Sequence, residues 1–314
     1  MSGWILALAD TALILFCAPL LTGWVKWVKC KLQARQGPPP WQPYRDLSKL
    51  FKKEVVLSEV ASPIFRMAPY IVFSVTLLAG SIVPMIAIGL PTSAIADVIV
   101  LVGLFALGRF FLALAGMDIG TAFGGMGSSR EVTIASLAEP AMLMGIFTIA
   151  MTVHSTNLAN ITQYLLEQPI QLYPSFVFAA LGMTLVAIAE TGRIPIDNPS
   201  THLELTMVHE AMILEYTGRH LALMEWAAML KLMIYSLLLS DFFFPWGLAD
   251  SLTPSVILLG AVSIFLKLTL LGIALAVMET GLAKMRFFRA PQYLGLAFIL
   301  CLLGMLSHVI LEVN

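Results

Sequence analysis

The sequence predicts an all-α, polytopic membrane protein with about eight transmembrane helices and both termini outside, on the periplasmic face. Three observations predict it. Of 314 residues, 59% are hydrophobic and 12% charged, against about 45–50% and about 25% in an ordinary soluble domain. Such a chain has too little polar surface to cover itself in water. Apolar runs of about twenty residues, enough to cross the hydrocarbon core of a bilayer, recur along the whole chain. Fifteen of its eighteen lysines and arginines fall on alternate loops, which is the asymmetry that sets membrane orientation.

The runs cover Gly3–Val28, Met67–Leu90, Asp97–Met117, Val132–Val153, Tyr173–Ala189, Leu221–Phe244, Pro254–Ala283 and Pro291–Ile310. Pro19, Pro84 and Pro140 fall within them and are expected to kink their helices, since neighbouring helices can satisfy the backbone groups that a proline frees. Residues 1–314 are read as one membrane domain.

Nine basic residues lie between Lys26 and Arg66, and the others follow at Arg130, at Arg193 and Arg219, and at Lys284, Arg286 and Arg289. The loops around Pro91, Asn160 and Asp250 carry none. Eight spans with cytoplasmic basic loops fit this pattern. Met1 to Val25 has neither a basic leader nor a small-residue cleavage site, so it reads as the first helix rather than a targeting peptide. Cys17, Cys30 and Cys301 are too far apart for metal-ligand spacing, and neither an iron–sulfur cluster nor a disulfide is expected in this chain.

The first cytoplasmic loop, 29–66, contains a stiff PPP turn and then a helical pattern. Tyr44, Leu47, Leu50 and Phe51 recur at helical spacing, as in a helix lying in the membrane interface. Arg35, Arg45, Lys49, Lys52 and Lys53, with Arg130 on the next basic loop, are candidate contacts for a cytoplasmic partner. Attraction to anionic lipid is the competing reading.

Ionisable residues inside spans are costly and usually face a bundle interior or a water-filled path. Asp10, Arg109, Glu139, Glu225, Lys231, Lys267 and Glu279 qualify. Glu139, Glu225 and Glu279 are expected about 6–12 Å from the cytoplasmic ends of their helices, Arg109 at a similar level, and Lys231 and Lys267 near the midplane, at about 1.5 Å per residue. As a set they read as a proton path or its gating network. Buried ion pairs, Arg109 with Glu139 for instance, are the simpler reading of any one of them. The second concentration of polar chemistry is AIAETGRIPIDNPSTHLEL, Ala187 to Leu205, within a cytoplasmic loop at 190–220. It brings Glu190, Arg193, Asp197, His202 and Glu204 between two apolar stretches. The glycines of FGGMGSS offer close backbone approach but have no phosphate-binding context.

The segments RQGPPPWQPYRDLSKLFKKE, LFALGRFFLALAGMDIGTAFGGMGSSRE, LAEP and ETGRIPID…LEL…LEYTG carry a resemblance that runs from Leu32 to about Lys284. They resemble the complex I membrane subunit that adjoins the quinone cavity. GRFFLALAGMDIG…GSSRE, the AEP that follows and Lys231 after EWAAML are closer to its counterpart in group 4 membrane-bound [NiFe]-hydrogenases, the branch of formate hydrogenlyase and hydrogenase-4.

The resemblance implies an inner-membrane subunit without a cofactor of its own. It would anchor a peripheral arm, an iron–sulfur small subunit with a hydrogenase-like large subunit, and link electron transfer to proton or sodium movement in antiporter-like membrane subunits. It places Glu190, Arg193, Asp197 and Glu204 against the iron–sulfur subunit. The chain departs from the family in carrying Ser200 and His202 where relatives have acidic residues, which makes Glu210 and Glu215 the better local carboxylates. A quinone-site subunit of a proton-pumping NADH:quinone oxidoreductase is the rival expectation. A stand-alone transporter is less favoured, because the chain shows no internal repeat of broken helices.

Overall fold

A computed structural model describes residues 2–167, 173–197, 207–249, 253–283, 285 and 289–312. It is helical throughout, with no strand among the described residues, and its elements follow from local sequence. α1 (Ser2–Leu32) is joined by the proline turn to α2 (Gln42–Phe51), and α3 is Pro63–Ile82. A 3₁₀ turn at Pro91–Ile95 precedes α4 (Val98–Asp118), α5 (Ala122–Val153) and the short α6 (Leu158–Glu167). α7 (Pro174–Glu190), the five-residue α8 (His209–Ile213), α9 (Gly218–Phe243), α10 (Pro254–Gly281) and α11 (Ala290–Ser307) complete the chain, with a final π turn at His308–Glu312.

Seven of these helices are long and apolar enough to cross a membrane. The eighth expected span is α7, which is apolar and 17 residues long, the short end of the spanning range. Outward-facing Leu258, Leu259, Val262, Leu266 and Leu270 on α10 are exposed in the isolated chain, a surface suited to hydrocarbon and not to water.

Two sets of contacts tie the helix ends into two opposite faces. At one, Lys29 at the end of α1 meets Glu279 near the end of α10, and Ser62 N–H donates to Asp118 at the end of α4. Arg130 Nη1 donates to the Met207 carbonyl, and Met285 N–H to the Pro195 carbonyl. At the other, Met85 N–H donates to Asp10, Ile88 N–H to the Ala249 carbonyl and Leu158 N–H to the Ala96 carbonyl. The loops rich in lysine and arginine belong to the first face, called here the basic end; the second is the far end.

The structure differs from the expected elements at identifiable points. The run Met67–Leu90 is helical only to Ile82, and Pro84 is no kink. A residue before proline is driven out of the helical region, and Val83 is extended at φ −81°, ψ 123°. The freed N–H of Met85 then goes to Asp10. Pro19 and Pro140 do lie inside α1 and α5, and Pro69 inside α3.

α5 begins at Ala122 rather than Val132. Its polar first turns start at an N-cap, Thr121 Oγ1 accepting from Gly124 N–H at 3.3 Å, and are tied to α4 by Ser128 Oγ, which donates to Ala113 O at 3.0 Å. Gly124 packs so tightly on the Gly116 carbonyl of α4 that a side chain there would collide. The position of Asn160, expected in a loop, lies in α6. Asn157 nucleates that helix, its Oδ1 accepting from the N–H groups of Ala159 and Asn160 at 3.0 and 3.3 Å.

Candidate functional site

The polar residues sort into three groups within the bundle and one surface. At the centre of the first is Arg109, on α4 and 7% exposed. Its Nη1 lies 2.6 Å from Glu139 of α5, its Nη2 pairs with Glu190 at the end of α7, and its Nε is 3.5 Å from Glu131 of α5. Lys231 of α9 approaches the same Glu190 oxygen at 2.9 Å. Four helices therefore contribute five charged side chains to one contiguous network, with three carboxylates against two cations. Arg109 serves as its hub because a planar guanidinium presents five donors in a fixed fork.

Within this network Glu190 is almost fully buried, whereas 30% of the Glu139 side chain is exposed. Glu139 stands about 26 Å along α5 from Ala122 at about 1.5 Å per residue, deeper in the helix than expected because the helix starts ten residues before Val132. Pro140 follows it directly, so a helix hydrogen bond is missing beside this carboxylate. Tyr235, one turn beyond Lys231, stacks on Phe105 with centroids 5.3 Å apart, and its hydroxyl donates to Met142 Sδ at 3.1 Å.

Nearer the basic end, Glu279 of α10 accepts from Lys29 of α1 at 2.7 Å and from Arg193 at 3.2 Å, tying the loop after α7 to two helices. Beside it, buried Asp197 accepts from the backbone N–H groups of Val208 and His209, both at 3.2 Å, and so caps α8. Glu210 on α8 is half-buried. Burial pushes its carboxyl above the usual carboxylate range; Glu225 and Asp197 push the same way, while His209 and Lys26 oppose. Glu215 is exposed and takes no part in this cluster. Ser200, His202 and Glu204 lie outside the described residues.

The third group is in the far half. Lys267 of α10 is separate from the Arg109 network and lies instead within electrostatic reach of Asp241, near the end of α9. Asp10 of α1 is the third member. Asp241 is a site residue that sequence reasoning missed, although it falls inside the apolar run Leu221–Phe244 and meets the same criterion as the seven ionisable residues identified there. Glu131 was missed because it stands one residue before the expected start of its span.

The surface is formed by α2 and the turns around it. Pro43 and Leu47 are buried against α1 and α9, Phe51 meets Trp226 edge-on at 6.1 Å, and the Tyr44 hydroxyl donates to the Phe16 carbonyl. This seating leaves Arg45, Lys49, Lys52 and Lys53 exposed, with Arg35 exposed on the preceding turn. Arg130 does not share the surface fully: it is half-buried and donates to the Met207 carbonyl at 2.9 Å.

The chain matches the family described as NADH dehydrogenase over residues 5–310. It is 32% identical to formate hydrogenlyase subunit 4 of Escherichia coli K12 over 94% of this chain and 96% of that protein. It is 33% identical to hydrogenase-4 component C of the same organism over 96% and 94%. An NADH-quinone oxidoreductase subunit of Symbiobacterium thermophilum is 30% identical over 53% of this chain and 52% of its own length. The fold is shared with a chain of the membrane-bound sulfane sulfur reductase, an archaeal respiratory membrane complex, at a TM-score of 0.83 and 18% identity, covering 98% of this chain and 99% of that one.

Proposed function

The chain belongs to the NADH dehydrogenase family, and from that premise we propose that it is the membrane anchor and coupling subunit of a hydrogenase-like redox complex of the group 4 [NiFe] type. In this reading the basic end faces the cytoplasm, as the positive-inside rule requires, and the membrane is the inner membrane. A peripheral arm, an iron–sulfur small subunit with a hydrogenase-like large subunit, docks on the basic end. Antiporter-like membrane subunits lie alongside and move protons or sodium ions. Iron–sulfur clusters, and nickel–iron where present, belong to those partners and not to this chain.

The observation that carries the coupling role is the network around Arg109. A guanidinium held by three carboxylates on two other helices, one of which also holds Lys231, cannot change its partners one at a time without redistributing charge across four helices. Glu139, the most accessible acid of the network, is where a proton enters or leaves it. Neutralising Glu139 removes one of the pulls on Arg109, which shifts toward Glu190 and weakens the hold of Glu190 on Lys231. Charge change on one side of the bundle is thereby passed to α9. The chain's own residues supply the titrating groups and their positioning; the electrons travel in the partners.

Docking is tested by reversing the exposed face of α2. With Arg45, Lys49 and Lys52 all changed to Glu, the subunit should insert normally and lose its peripheral arm on purification, because the electrostatic complement is inverted without altering a span. An unchanged yield of the arm would reduce α2 to a lipid anchor.

A second reading, a quinone-site subunit of a proton-pumping NADH:quinone oxidoreductase, is favoured by an apolar cavity of about 80 Å³ between α1, α7, α9 and α10. Leu21, Ile188, Tyr235, Leu239, Leu275 and Met278 line it. Redox turnover of the purified complex in the absence of any quinone supports the first reading, and strict dependence on added quinone the second.

A further inference from the structure

In the far half of the bundle, Asp241 is 1% exposed, and neither of its carboxylate oxygens meets a hydrogen-bond donor among the described residues. Lys267 Nζ is likewise buried and meets no acceptor among them. Asp10, 7% exposed, is better served, with one oxygen accepting from Met85 N–H at 3.1 Å. Of the helices packed around Asp241, the charged groups that act on it are Lys267 of α10 and Asp10 of α1. Asp241 therefore has an ammonium on one side and a second acid on another.

If all three were ionised, one net negative charge would remain in an apolar surrounding with two orphaned acceptors. A charge buried in that way is strongly unfavourable, and a buried carboxyl relieves it by taking up a proton. The unmatched ends also complement each other: an ammonium has only donors to offer and a carboxylate chiefly acceptors, so a water between them satisfies both. A small cavity of about 10 Å³, the room of roughly one water, adjoins Asp10. Ser81, Thr92 and Ser93, half-buried at the far end, line it too.

We propose that Asp10, Asp241 and Lys267 form a proton-binding site distinct from the Arg109 network: one proton is held on the aspartate pair beside the Lys267 ammonium, and it exchanges with the far face through the hydrated cavity at Asp10. The bound species is a carboxylic acid, formed by adding a proton to one aspartate, so no redox partner is involved. The site stands apart from the choice between hydrogenase-type and quinone-type complexes.

The test is infrared spectroscopy of the intact purified complex at neutral pH, in H₂O and D₂O, following the carboxylic C=O stretch that an ionised carboxylate lacks. Asp241→Asn removes the acid that acts on Lys267 and leaves Asp10 ionised on its Met85 N–H donor, and Asp10→Asn leaves Asp241 opposite Lys267 as a neutral pair. Neither arrangement needs the bound proton, so each variant should lose one protonated carboxyl per complex relative to the wild type. Lys267→Gln leaves two acids without a cation and should gain one. Because either aspartate variant alone must show the loss, poor assembly of one leaves the other decisive. A carboxyl band unchanged in an assembled aspartate variant means that all three groups are ionised and overturns the proposal.

Discussion

Toward the basic end, each charged side chain around Arg109 has an opposite charge within 4 Å; in the far half, Asp241 and Lys267 have no such contact among the described residues. The two regions represent two ways of tolerating charge out of water. Pairing fixes geometry, because removing one partner strands another. Neutralisation by a proton leaves the groups apart and the site exchangeable. A subunit that must transmit a change between helices gains from the first arrangement, and one that must take up or release a proton gains from the second.

That difference predicts unequal responses to removing an acid. Glu190→Gln strands Lys231 and leaves Arg109 to Glu139 and Glu131, and it should be the most damaging, at about 3–5 kcal/mol, the usual cost of breaking a buried pair. The amount of complex in the membrane and its thermal inactivation midpoint would report it. Glu279→Gln, which weakens contacts to the partly exposed Lys29 and Arg193, should cost about 1.5–3 kcal/mol, the range for hydrogen bonds to charged groups. Asp241→Asn, which removes a buried acid whose oxygens meet no donor among the described residues, should cost about 1 kcal/mol or less, near the centre of the range for single substitutions. A midpoint for Asp241→Asn as low as that for Glu190→Gln would erase the distinction between the regions.

The smallest effect belongs to Glu210. Its carboxyl is raised in the folded protein by burial, so the folded state binds this proton more tightly than the unfolded state. Glu210 thus favours folding below the ordinary carboxylate range, and that contribution is lost as pH rises through the raised value. Glu210→Gln should flatten this part of the stability–pH profile and leave the variant slightly more stable than wild type on its alkaline side. An unchanged slope would show that Glu210 is solvated in the complex.

The sequence made the spans legible because hydrocarbon-length apolar runs admit few alternatives, and it made Arg109, Glu139 and Lys231 legible because charge in such runs is rare. Element ends were harder. α5 extends ten residues into a polar stretch because Thr121 caps its start and Ser128 ties it to α4, local choices that hydropathy does not register. α6 and α8 are short, and each is started by one side chain, Asn157 and Asp197, whose role depends on the fold around it. Pairing was the least legible: Glu190 lies 81 residues from Arg109, and only the packing of α4 against α5, and of α5 against α7, brings them together.

The coupling role of the Arg109 network is tested most directly by Glu139→Gln and Lys231→Gln, with ion uptake by vesicles containing the whole complex measured beside its redox rate. Glutamine keeps much of the size and hydrogen bonding at both positions while removing the charge. The network predicts normal assembly with ion uptake lost from electron transfer, or both slowed together, in each variant. An unchanged ion-to-electron ratio at an unchanged rate in both would contradict it and reduce the network to ion pairs that hold helices in place.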